Sequence, residues 1–69
     1  MTNEQAKQVF LKQTPVTAHG VIYKCISAII NRIEKGKVVM YCEMQDRCVS
    51  SVTIAPPRWI EEYKNSDNV

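Results

Sequence analysis

Apolar and polar positions alternate along most of this chain, and a period of two marks half-buried strands. Over residues 38–45 one face carries Val38, Met40, Cys42 and Met44, and the other carries Val39, Tyr41 and Glu43. Over 51–55, Val52 and Ile54 alternate with Thr53. The stretch 21–33 is more continuously apolar, and its β-branched content also predicts strand. Thirteen residues is long for one strand, so a bend or bulge is expected near 24–27, where the alternation slips. Ile26, Ile29, Ile30 and Ile33 also fit helical spacing, which makes a helix over 24–35 the rival reading. The four isoleucines and the turn at Glu34-Lys-Gly-Lys37 favour a hairpin, with Gly36 supplying positive φ. Short strands are expected over 15–18 and 61–63, with turns at His19-Gly20 and 46–50.

Only residues 2–13 read as helix. Ala6, Val9 and Phe10, with Gln13 in line, fall on one narrow face. Thr2 or Asn3 can cap this helix, and Thr2 with Gln5 fits a capping box. Thr14 precedes Pro15 and is pushed toward an extended conformation, so the helix should stop by Gln13. So short a helix is not stable alone. It is expected to dock on the strands and cover one open end of their assembly.

The segment Ser51-Val-Thr-Ile-Ala-Pro-Pro-Arg-Trp-Ile-Glu-Glu-Tyr63 gives the most fold information. Pro56 and Pro57 end a strand, since neither donates a ladder hydrogen bond and both fix φ. Trp59 and Ile60 give the turn an apolar anchor before the next strand. Strand, proline turn, aromatic and strand is the order in which small barrels of the SH3 type close. The expected fold is therefore mainly β: an SH3-like five-stranded barrel preceded by a short N-terminal α-helix. The expected organisation is one domain over 1–69, with helix over 2–13, barrel over 15–63 and a flexible polar tail over 64–69.

A chain of 69 residues buries a modest fraction of its surface, which leaves homo-oligomerisation open. A net charge of +2 fits neither an acidic DNA mimic nor a dedicated non-specific nucleic-acid binder. No segment approaches the ~18 consecutive apolar residues of a membrane span, so no membrane partner is expected. The polar opening Met1–Gln5 has no apolar signal core, so a cytoplasmic location is expected. Three cysteines in that setting are expected to be reduced thiols.

Candidate chemistry is sparse. There is one histidine, no glycine-rich phosphate loop and no Cys-x-x-Cys pair. Glu61 and Glu62 are strand neighbours and point to opposite faces, so they make a poor acid–base pair. A non-enzymatic chain without cofactor is expected. His19, Cys25, Cys42 and Cys48 total one nitrogen and three sulfurs, a known structural zinc set. No two have knuckle spacing, and Cys42 falls on the predicted core face, so no metal is expected and zinc is an alternative.

Trp59 has two readings that the sequence leaves level. It plugs the barrel beside Ile60 and Val52, or it is a half-exposed anchor for a protein partner, with Arg58, Pro57 and Tyr63 around it. A second set, Lys24, Arg32, Lys35, Lys37 and Arg47 with Tyr23 and Tyr41, could face nucleic acid. Glu34, Glu43 and Asp46 interleave with it, so a solvated mixed surface is the default.

Ile54-Ala-Pro-Pro-Arg-Trp-Ile-Glu61 resembles the closing segment of SH3 domains, with Pro56, Trp59, Ile60 and Glu61 in the matching places. The family's N-terminal Ala-Leu-Tyr-Asp-Tyr run and its tryptophan pair are absent, so the proline-peptide groove does not carry over. Gly20-Val-Ile-Tyr-Lys-Cys-Ile-Ser-Ala-Ile-Ile, then Gly36-Lys, then Ser51-Val-Thr-Ile-Ala-Pro resembles small uncharacterised proteins of prophages and conjugative elements in Gram-positive bacteria. That resemblance implies an accessory protein acting on a host or element protein. Its most concrete form is an anti-CRISPR-like inhibitor that occludes the surface of a Cas9-type nuclease. The alternatives are a small SH3-like nucleic-acid-binding protein and a zinc-stabilised binding domain.

Overall fold

Thr2 opens the first helix, α1 (Asn3–Lys12). Its Oγ1 accepts from the Gln5 backbone N–H at 3.1 Å, and Gln5 Oε1 accepts from the Thr2 N–H at 2.8 Å. This is the expected capping box, satisfying two otherwise orphaned donors. Gln13 ends the helix in a left-handed conformation, and its side-chain amide donates to the Ile26 carbonyl at 3.0 Å. That bond ties the helix end to the sheet. The computed structural model describes residues 1–63, so the tail expected over 64–69 lies outside the described residues.

The strands are β1 (Val16–Ala18), β2 (Val21–Glu34), β3 (Lys37–Asp46), β4 (Val52–Ala55) and β5 (Ile60–Glu62). A 3-10 turn, Pro57–Trp59, separates the last two. Residues 24–35 are strand except for the turn at Lys35-Gly36, so the rival helix does not form. The β2–β3 register shifts between Tyr23 and Cys25 and again between Ile26 and Ala28. These irregularities fall within the stretch where the alternation was expected to slip. They let Tyr23, Cys25 and Ile26 all turn inward while Lys24 stays exposed. The β1–β2 and β2–β3 hairpins both turn on two residues with positive φ, His19 (53°) with Gly20 (76°) and Lys35 (52°) with Gly36 (77°). Such turns match the twist of the strands they join.

All pairings are antiparallel, in the order β4-β3-β2-β1-β5. β4 and β5 are therefore the two edges, yet only Pro56–Trp59 separates them in the chain. In a flat sheet, four spacings of about 4.8 Å would hold the edges about 19 Å apart. The link from Ala55 to Ile60, with its 3-10 turn, spans about 15 Å at most. The sheet must therefore curl. It is one open, curled sheet, with no ladder joining β4 to β5, rather than a barrel closed by hydrogen bonds.

The core lies inside that curl and under α1. Ala6 and Val9 of the helix meet Val16, Tyr23, Ile26, Met40, Cys42, Met44, Ala55 and Ile60. Met40, Cys42 and Met44 face inward as expected, but Val38, on the same face, is 71% exposed. The hairpin outruns the core there, and its cross-strand partner Ile33 is 78% exposed. Of the three residues in the plug reading of Trp59, one of two readings the sequence leaves level, Ile60 alone is buried. Val52 and Trp59 are exposed, so the plug reading of Trp59 is corrected: the turn that carries it points the ring outward.

Candidate functional site

In-register strand partners share a face. Val16 and Ala18 are buried, so Thr17 between them points outward, and its partners Ile22 and Glu61 flank it. One step along, the Tyr63 N–H donates to the Pro15 carbonyl at 3.0 Å, which sets those two residues side by side. The outer side of β5, β1 and the start of β2 thus carries two neighbouring clefts, with the Glu61–Thr17–Ile22 row between their outer ends.

The first cleft, of about 200 Å³, lies at the His19-Gly20 turn beside Arg58 and Trp59. The Trp59 ring meets the His19 ring edge to face, centroids 5.1 Å apart and planes at 71°. The Arg58 guanidinium lies 5.3 Å from the Trp59 ring centroid, close enough for a cation–π contact. Trp59 is nonetheless 50% exposed. The turn beneath is stiff. Pro56 and Pro57 are buried, the Trp59 N–H donates to the Pro56 carbonyl at 3.1 Å, and the Met1 nitrogen donates to the Pro57 and Ile60 carbonyls, each at 2.9 Å. The indole is therefore held in place before any partner arrives.

The second cleft, of about 470 Å³, is lined by Pro15, Ile22, Lys24, Arg47 and Tyr63. It draws together four parts of the chain: the approach to β1, the start of β2, the β3–β4 loop and the residue after β5. Of the expected partner-binding set, Trp59 and Arg58 sit together, while Pro57 is buried and supports the turn from below. Tyr63 belongs to the second cleft. His19 stands beside Trp59 because the β1–β5 register pairs Ala18 with Ile60. Sequence reasoning gave it no place at this corner, since nothing local links residues 19 and 59.

The expected basic patch divides. Lys24 and Arg47 share the second cleft. Arg32 and Tyr41 stack on the outer face of the hairpin arm, the guanidinium 5.2 Å from the ring centroid. The Tyr41 hydroxyl donates to Glu34 Oε2 at 2.8 Å, and that bond holds the phenol's pKa above its ordinary value. Lys35 and Lys37 are at the arm's tip.

The four candidate zinc ligands are scattered. His19 is exposed at the Trp59 corner, Cys25 and Cys42 are buried, and Cys48 is exposed in the β3–β4 loop. Among the described residues no group of three or more His, Cys, Asp or Glu side chains is placed to hold a metal. Burial pushes the Cys42 thiol's pKa up. Glu61 faces outward, whereas Glu62 accepts from the Thr14 hydroxyl at 3.2 Å, so the neighbouring carboxylates diverge. No helix of the described residues is long and apolar enough to cross a membrane.

No family model, curated protein or solved structure matches this chain.

Proposed function

We propose that the chain is a non-enzymatic, protein-binding module of a phage or mobile element. In its most concrete form it inhibits a host defence nuclease of the Cas9 type by covering part of its surface. The observation that carries the binding reading is the half-exposed Trp59, held between His19 and Arg58 on a proline-stiffened turn. A large ring fixed in advance loses little conformational freedom on binding, and tryptophan and arginine are enriched among residues that dominate interface energy. The nuclease target rests on the resemblance to mobile-element proteins, and the geometry adds only a surface suited to a protein. The SH3-like reading of the fold is supported by the strand, proline turn and strand that join the two edges of a curled sheet.

Adding the purified chain to a Cas9-type nuclease loaded with guide RNA tests the reading. Target cleavage should fall with increasing chain, and Trp59→Ala should require a much higher concentration for the same effect. Undiminished cleavage at saturating chain contradicts the inhibitor reading. Inhibition equal for both forms removes Trp59 from the interface.

A further inference from the structure

The second cleft is not used by the protein-binding reading, which rests on Trp59. Lys24 and Arg47 bring two cations to it, and among the described residues no carboxylate lines it, Glu61 standing on the row beside it. The one ion pair among the described residues is Lys7 with Glu4, at 3.5 Å on α1. Asp46, beside Arg47 in sequence, accepts the Cys48 N–H at 2.9 Å through Oδ1. The rest of the lining is a tyrosine ring, a proline and an isoleucine. A site that is cationic on one side and flat and apolar on the other matches a ligand that is anionic at one end and a planar ring at the other.

We propose that this cleft takes one base of a single-stranded nucleic acid against Tyr63, with the two phosphates flanking that nucleotide against Lys24 and Arg47, one each. The volume of about 470 Å³ falls in the range of small-ligand sites. The irregular register beside Lys24 re-aims the strand at that residue, a recurrent use of bulges next to binding sites. Backbone pairing fixes Tyr63 against Pro15, so the ring is carried by the sheet. Only an unstacked base can lie on such a ring, which selects single strands over duplexes. The net charge of +2 gives little long-range attraction, so affinity depends on these two local cations and on stacking. This inference does not rest on the protein-binding reading, whose anchor is the other cleft.

The test is fluorescence anisotropy of a short labelled oligothymidylate titrated with the full chain over a range of salt. Two phosphate-facing cations predict a slope of log affinity against log salt of about −1.4, and Lys24→Ala or Arg47→Ala should each reduce its magnitude by about 0.7. Tyr63→Ala should weaken binding about tenfold, while Tyr63→Phe, which keeps the ring, should bind as the parent does. Trp59→Ala should bind the oligonucleotide unchanged, so this inference and the protein-binding reading can fail separately. Thermal melts identify a variant that has unfolded; should Tyr63→Ala do so, the Tyr63→Phe and exposed-cation variants still decide. The inference is overturned if the parent does not bind at low salt, or if neither cation variant changes the slope. It is also overturned if polyphosphate, which has no bases, competes as well as the oligonucleotide, or if duplex binds as tightly as single strand.

Discussion

The inner and outer faces of the sheet are made by the same strands and behave as opposites. Inward, Val16, Ile26, Cys42, Met44 and Ile60 are fully buried and α1 closes over them. Outward, at the β5–β1–β2 corner, Thr17 and Ile22 border two open clefts, and the largest ring of the chain stands half in solvent. The inner face holds the core, and the outer corner keeps its rings and cations outside it. The inner face also ends abruptly. Past Met40 no layer of the described residues packs on the hairpin, and Ile33 and Val38 are exposed although they continue the buried row.

Substitutions that separate the faces sharpen this contrast. The largest effect is expected at Met44→Ala or Ile26→Ala, each costing about 2–5 kcal/mol in denaturant unfolding, because a cavity opens in the core. A loss below about 1 kcal/mol would mean that the inner face does not carry the fold.

Cys42→Ala is a smaller inner-face change and should cost roughly 1 kcal/mol, while Cys48→Ser in the exposed loop should cost almost nothing. A chelator should leave the melting temperature unchanged, and one equivalent of zinc per chain in elemental analysis would contradict this account of the cysteines. The Cys42 thiol adds a pH test. Its folded pKa is raised by burial, so above the unfolded value the native state binds more protons than the unfolded chain. Its contribution is full below about pH 8.5 and is lost as pH rises through the folded value. The parent should therefore lose more stability than Cys42→Ala between about pH 7 and 9.5. Equal losses would show that the thiol is not shielded.

The smallest effect is expected at the arm's tip. Ile33→Thr or Val38→Thr should stay within about 0.5 kcal/mol, since both side chains are already in water. A large loss would reveal a contact that covers the tip.

Local features were legible in the sequence because local chemistry dictates them. The Thr2–Gln5 capping box, the Lys35-Gly36 turn, the irregularity near Lys24–Ser27 and the inward row Met40, Cys42 and Met44 each follow from neighbouring residues. Period two assigns a face but not its depth, so it could not say that the buried row stops before Val38. Five strands were legible, but closure was not, because it depends on how far a sheet curls and whether its edges meet. The outer corner was half legible. Arg58 and Trp59 are adjacent in sequence, whereas His19 reaches Trp59 only through the β1–β5 register. The second cleft depends on residues from the first, second and last strand regions and the β3–β4 loop, which no local pattern connects.

The central claim is that the outer corner binds and the inner face folds, and Trp59→Ala tests it most directly. Its melting temperature and its binding to the nuclease should be measured on one preparation beside the parent. The account predicts an unchanged melting temperature and binding weaker by about 2 kcal/mol or more. An unfolded variant, or a folded one that binds as tightly as the parent, would contradict it.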